Sequence, residues 1–351
     1  MPSEILPADT HQTVAEYYGK TLTSSRDLKT NACCTLESVP LHLRPLISQV
    51  HEEIRDRYYG CGSPMPPALA DCTVLDLGCG SGRDCYVLSQ LVGPNGQVIG
   101  VDMTPEQLQL ARRYQSWHAE RFGHDHSNVS FKDGLIEDLS SAGIADASID
   151  VVVSNCVINL SPEKPRVLRE IFRVLKAGGE LYFSDVFADR RIAAELRADP
   201  VLLGECLGGA MYWEDFRRLM QEIGCADVRV VSESAIVVDD PALQQKIGHV
   251  RFRSVTVRAF KLDLEDRCED FGQVAWYQGS IAELPHAFDL DDHHHLETGK
   301  PMTVCGNTAD MLGRTRYARH FRIAGEKTVH FGLYDCAPGP NAAAATSGAC
   351  C

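Results

Sequence analysis

"CTVLDLGCGSGRD" (Cys72–Asp84) decides how the rest of this chain is read. A short apolar run, an acidic residue near its end, glycines at alternate positions and the start of a helical pattern make a strand–loop–helix unit. Glycine lets a backbone turn tightly and approach a ligand closely. The first turn of the following helix leaves N–H groups free to receive that ligand. A tight turn with no ligand would look the same, so the surroundings must decide. "QVIGVD" follows as a second strand ending in Asp102, where an acidic side chain can take a pair of ribose hydroxyls. The dinucleotide fingerprint wants a glycine three places after Gly80, but Arg83 stands there. A nucleoside without a pyrophosphate therefore fits better.

Outward from this loop, strands and helices alternate. "NVSF" and "SIDVVVSN" read as strands three and four, and "KPRVLREIFRVLKAGGELYFSDV" as a helix, a turn and a fifth strand. "RDCYVLSQLV" reads as a helix, and "TPEQLQLARRYQSWHAERFG" as one long helix with Thr104 as N-cap and Pro105 at its first position. "RFRSVTVRAFKL" alternates like a terminal antiparallel strand. The pattern predicts an α/β fold with a mainly parallel sheet covered on both faces. It spans 71–262, after a helical N-terminal segment (1–70) and before a small C-terminal domain (263–351). That last part shows short strand-like pieces, no clear helix, and a small-residue tail ending in Cys350 and Cys351.

The 351 residues carry a net charge of −14, which argues against a nucleic-acid or anionic-membrane surface. No basic region followed by an apolar run opens the chain, and no apolar stretch nears the roughly 20 residues of a membrane span. A soluble, cytoplasmic protein is expected.

The "DLGCGSG" loop with Asp102 and "LKAGGELYFSDV" resembles the class I S-adenosylmethionine-dependent methyltransferases over about 71–262. The resemblance implies a Rossmann-like sheet and S-adenosylmethionine as cofactor. It places Asp76, Leu77, Gly78, Gly80 and Gly82 at the methionyl part, Asp102 and Met103 at the ribose, Ile136 and Glu137 at the adenine, and Asn155 beside them.

Cysteine is the unusual entry, with 14 in the chain and no C-x-x-C pair, so neither a zinc ribbon nor a thioredoxin-like site has support. Cys156 directly follows strand four, at the carboxyl end where open α/β sheets bind ligands. Cys206, in "LLGECLGGAMYW", and Cys61, in "YYGCG", lie in stretches too rich in glycine for ordinary core. Cys33 and Cys34 lie in the polar "TNACCT". A buried, inert thiol is the bland alternative for each. Three thiolates beside a methyl donor suit a soft three-coordinate acceptor, and trivalent arsenic is one. Cys72, Cys79, Cys85, Cys225 and Cys268 are read as structural. His293–His295 with Asp289, Asp291 and Asp292 look like a metal cluster, but no cysteine stands at zinc spacing and a solvated polar loop is the expectation.

Together, "DLKTNAC", "RYYGCG", "DLGCGSGRDCYVLSQLVG", "VVVSNCVINL" and "GECLGGAMYW" are similar to the arsenite methyltransferases of eukaryotes, through most of 12–262. The resemblance implies arsenic(III) bound and turned over by Cys61, Cys156 and Cys206. It implies a further redox-active cysteine at Cys33, with Cys34 adjacent, and Tyr59 near the cofactor. It also implies thiol adducts of arsenic such as that with glutathione, thioredoxin or glutathione as reductant, and a role in arsenic detoxification. Methylation of a small organic acceptor, of the sterol or quinone type, is the rival reading.

Overall fold

The computed structural model describes residues 10–12, 14, 39–58, 60 and 64–336. Expectations placed on Cys33, Cys34, Tyr59, Cys61, Cys350 and Cys351 therefore lie outside the described residues.

The central sheet is built from β1 (Thr73–Leu77), β2 (Gln97–Asp102), β3 (Val129–Asp133), β4 (Ile149–Asn155), β5 (Leu175–Ala188), β6 (Met211–Tyr212), β7 (Val228–Ala235) and β8 (Phe252–Phe260). Its order is β3-β2-β1-β4-β5-β8-β7, with β6 paired to β5. The first five strands run parallel, and β8 enters antiparallel between β5 and β7. Val151, Val152 and Val153 are buried from both faces, which is why β4 is a continuous β-branched run rather than an alternating one. Two apolar layers sandwich the sheet, one gathered around Leu168, Ile171 and Phe216, the other around Tyr86, Leu88 and Leu108. The strand order reverses between β1 and β4, and a ligand crevice is expected beyond the carboxyl ends of those two strands.

Two helical expectations need correction. The long helix breaks at Tyr114 into Pro105–Arg113 and Gln115–Phe122. Tyr114 leaves the helix to stack on His51, ring centroids 3.8 Å apart, and to donate its hydroxyl to Glu53. In the N-terminal segment, the helical pattern over 44–55 is likewise split into two short helices, Arg44–Ser48 and Glu52–Arg55, the second capped by the His51 side chain.

Beyond β8 come β9 (Glu269–Asp270), β10 (Gln273–Tyr277), β11 (Ala287–Asp289), β12 (His295–Glu297), β13 (Pro301–Val304), β14 (Phe321–Ala324) and β15 (Gly332–Leu333). A helix that the sequence did not announce, Gly306–Gly313, packs there, with Cys305 as its N-cap. This part has its own apolar centre around Tyr277, Phe288, Leu312 and Tyr317.

Buried ion pairs fasten it to the sheet. Glu180 of β5 is fully buried, pairs with Arg258 of β8 at 2.6 Å and with Arg316, and accepts a hydrogen bond from the Tyr317 hydroxyl at 3.1 Å. Arg316 in turn donates to the carbonyls of Pro67 and Ala68, just before β1.

The histidine-rich loop is solvated only in part: Asp289, Asp292 and His295 are exposed as expected, but two of its residues are not. Asp291 and His294 are buried, and Arg229 of β7 reaches across to Asp291 at 2.8 Å. His294 Nδ1 and the guanidinium share that one carboxylate. No helix among the described residues is long and apolar enough to cross a membrane.

Candidate active site

A crevice open to solvent lies where the strand order reverses. Four segments line it: the glycine loop after β1, the end of β2, the 134–137 turn after β3, and the end of β4.

The glycine loop takes its shape from positive φ angles, +64° at Gly78 and +51° at Gly80. A Cβ on Gly78 would fall 2.4 Å from Val157, so the loop can lie against the β4 turn only without a side chain. A Cβ on Gly80 would meet nothing within 4 Å. Asp102 fixes the loop from below, accepting from the Gly80 N–H at 2.8 Å with one oxygen and from the Thr104 N–H at 2.8 Å with the other.

Asp76, Gly78, Gly80, Asp102, Met103, Ile136, Glu137 and Asn155 all line the crevice. Leu77 and Gly82 do not. Leu77 is fully buried in the core, and Gly82 begins the helix Arg83–Val92, where a Cβ would meet the Phe131 ring at 2.8 Å. Their part is packing beneath the loop.

The electrostatics are acidic. Asp76 is almost fully buried, accepts from the Cys85 thiol at 3.2 Å, and is held well above the usual carboxylate range by burial and by Asp84. Burial also raises Asp102. Asp84 is tied to Arg83, 2.6 Å away, and accepts from Asn155 Nδ2 at 3.2 Å. Arg83 lies 3.0 Å over the Tyr58 ring. Its charge is thus spent on Asp84 and Tyr58 rather than on a phosphate.

This donor set fits a ligand with a cationic end and a nucleoside end. A cation favours the ionised form of Asp76, so its binding should release a proton and strengthen as pH rises through the raised pKa of the free site. Calorimetry of S-adenosylmethionine binding in buffers of different ionisation heat should show that release. A buffer-independent heat would contradict the assignment of Asp76.

Residues from far upstream complete the crevice. His11, Val14, Arg57, Tyr58 and Gly60 line it, His11 lying 3.0 Å from Glu137, which also accepts from the Ser161 hydroxyl. Gly60 passes so close to Tyr58 and Asn155 that a Cβ would fall 2.2 Å from the Tyr58 hydroxyl oxygen. No local pattern revealed His11, Tyr58 or Ser161. Only the YYG glycine hinted at close approach.

Cys156 lines the crevice where β4 ends, and Cys206 lies behind it, donating its thiol to the Cys156 carbonyl at 3.3 Å. Both are buried, and both adopt left-handed backbone conformations, φ +57° and +60°. Non-glycine residues seldom do this, and such strain tends to gather at functional sites.

Two devices hold the pair. Asp185 of β5 accepts from the backbone N–H of Asn159 at 3.0 Å and from its side chain at 2.7 Å, pinning the turn after Cys156. The "LGG" after Cys206 then lies flat on that turn, since a Cβ on Gly209 would fall 2.0 Å from the Asn159 carbonyl oxygen. The glycine richness is there for this contact. Gly209→Ala should therefore shift Cys206 and lower turnover about 100-fold, as a displacement near 1 Å can, with S-adenosylmethionine affinity unchanged. Turnover within twofold of the parent would show that the contact is dispensable.

Cys156 is disulfide-bonded, and none of the described free cysteines is its partner. The reading of the sequence had not placed Cys156 in a disulfide. Lys164, whose ammonium burial brings down to about 8, acts electrostatically on Asp185, Glu137 and Cys206. It brings to Cys206 a positive charge of the kind that favours a thiolate. By contrast, burial pushes Cys79 up to about 11 and Cys225 up to about 12, as expected of inert structural thiols.

Comparison with known proteins bears on the whole chain. Residues 69–224 match the model of a methyltransferase domain family, and 272–347 match that of the arsenite methyltransferase C-terminal domain. An arsenite methyltransferase of the bacterium Aquipseudomonas alcaligenes is 59% identical over 93% of this chain and 94% of its own length. That of Homo sapiens is 45% identical over 91% and 86%. The likeness thus extends beyond eukaryotes. The crystal structure of an arsenic(III) S-adenosylmethionine methyltransferase from Chlamydomonas reinhardtii, 48% identical, superposes with a TM-score of 0.82, covering 85% of this chain and all of that one. With a crevice shaped for a cationic nucleoside, two strained cysteines at its edge and relatives matched almost end to end, the chain belongs to the arsenite methyltransferase family.

Proposed function

We propose that this protein transfers a methyl group from S-adenosylmethionine to trivalent arsenic held by cysteine thiolates, as part of arsenic detoxification. The observation that carries the proposal is the placing of Cys156 and Cys206 side by side, both in left-handed backbone, at the edge of the cofactor crevice. Asp76, the glycine loop, Asp102 and the 134–137 turn would hold the cofactor. When bound, it supplies a sulfonium methyl to the arsenic lone pair, which leaves arsenic pentavalent.

The chain's own work is to bind and to aim. Arsenite, arriving as a thiol adduct such as that with glutathione, exchanges its ligands for Cys156 and Cys206, with Cys61 as the third sulfur. Lys164 favours the thiolate form during that exchange. Holding two reactants in line is worth roughly 7–11 kcal/mol, and no general base is needed because the nucleophile carries no proton.

Two thiols then return arsenic to the trivalent state by giving up two electrons and two protons as a disulfide. Cys33 and Cys61 are the pair proposed from the sequence. The disulfide at Cys156 supports a reading in which thiol redox chemistry at this crevice includes Cys156. A thiol reductant, thioredoxin or glutathione, would reopen it by exchange. The many cysteines and the net charge of −14 favour a soluble cytoplasmic enzyme that uses no nucleic acid and no anionic membrane surface.

Product speciation tests the proposal. Purified protein given arsenite, a thiol reductant and methyl-labelled S-adenosylmethionine should yield labelled methylarsenicals. An unlabelled arsenic pool, with the cofactor still bound, would leave the cofactor site standing and remove arsenic as the acceptor.

A further inference from the structure

Far from the crevice, the C-terminal part of the chain brings three more thiols together. Cys268 stands directly before β9, Cys336 follows β15, and Cys305 caps the helix Gly306–Gly313. β9 and β15 pair antiparallel through only two residues each, Gly332 with Asp270 and Leu333 with Glu269. The Tyr334 N–H donates to the Cys268 carbonyl at 2.7 Å and so extends that pairing. The register carries Cys268 and Cys336 to one end of the ladder, over the helix cap. There all three sulfurs lie within 4.8 Å of one another, and none is in a disulfide. Cys305 is buried, while Cys268 and Cys336 are half-buried, which leaves a way in from solvent.

We propose that Cys268, Cys305 and Cys336 form a second site for trivalent arsenic, separate from the methyl-transfer crevice. The choice of arsenic rests on the substrate proposed above, whereas the existence of a soft-ion site rests on the sulfurs alone. Thiolate ligands select soft ions. Zinc closes its structural sites with four ligands, and among the described residues no fourth His, Cys, Asp or Glu joins this trio.

The surroundings also favour thiolates. Arg229 donates to the Cys305 sulfur at 3.9 Å and the Thr308 N–H donates to it at 3.4 Å. Such donors stabilise a thiolate for ligand exchange. Binding is a pure exchange: arsenous acid, As(OH)3, and three thiols give As(SR)3 and three waters, with no change of oxidation state. A two-residue ladder is too short to be stable by itself, and a bound ion would tie both of its strands to the helix.

The test uses the full chain, reduced and equilibrated anaerobically with arsenite, then freed of unbound arsenic. Bound arsenic should fall by about one per chain in the C268S/C305S/C336S variant while methyl transfer persists. The Cys206→Ser protein should keep that arsenic with three sulfur neighbours by X-ray absorption. If the triple variant fails to fold, Cys336→Ser, at a half-exposed position, should lower the sulfur neighbours of the second arsenic from three to two. Equal arsenic content in the parent and the triple variant, or an unchanged sulfur count in the Cys336→Ser protein, would overturn the proposal. So would zinc that co-purifies with the parent but not with the variant, and that arsenite cannot displace. Loss of methyl transfer with this arsenic retained would bear on the crevice instead.

Discussion

Serine in place of Cys206 is expected to abolish arsenic methylation while leaving S-adenosylmethionine affinity within about twofold. The exchange changes one buried atom, and serine is no worse than cysteine in the left-handed backbone at this position. Lost turnover would therefore report lost sulfur chemistry rather than a displaced loop. An alcohol at neutral pH offers almost no alkoxide, and oxygen is a hard ligand where arsenic wants a soft one. A fall of about 100-fold or more is expected, with arsenic no longer held on three sulfurs in the crevice. Cofactor binding by calorimetry and melting behaviour serve as controls. Turnover within tenfold of the parent would remove Cys206 from the arsenic ligands.

Glu180→Gln should be the most damaging substitution outside the crevice. Glu180 lies fully buried between Arg258 and Arg316, and its carboxylate is the counter-charge that both guanidiniums face. Glutamine keeps the shape and removes the charge, which leaves two buried cations close together. Breaking a buried pair from one side costs about 3–5 kcal/mol. The shift of the denaturant midpoint at constant slope measures it. A cost below about 1 kcal/mol would mean that water reaches the pair, and that the seam between the sheet and the C-terminal part is looser than its burial indicates.

The sequence made the sheet legible because parallel strands buried on both faces leave unbroken apolar runs, as in Val151–Val153. The glycine loop was legible because Gly78 and Gly80 need backbone angles that other residues resist. Other features depend on partners far away in the chain, and no local window shows them. Tyr114 ends a helix for the sake of His51 and Glu53. The Gly306–Gly313 helix has a weak helical sequence and forms because nearly all of it is buried. The burial of Asp291 and His294 was hidden because Arg229, which pairs with Asp291, lies on β7, 62 residues away. The left-handed turns at Cys156 and Cys206 were invisible for a different reason. Cysteine carries no propensity that announces such a conformation.

Those two turns also bear on how the protein can change. At positions 156 and 206 a substitution is judged twice, first by the backbone and then by the chemistry. Glycine and asparagine pass the first judgement and fail the second. Valine, isoleucine and threonine, which resist a positive φ, fail the first before their chemistry matters. A saturation library at either position should therefore separate into well-folded silent proteins and poorly folded ones, with cysteine alone both folded and active. Neutral drift has almost no path through these sites.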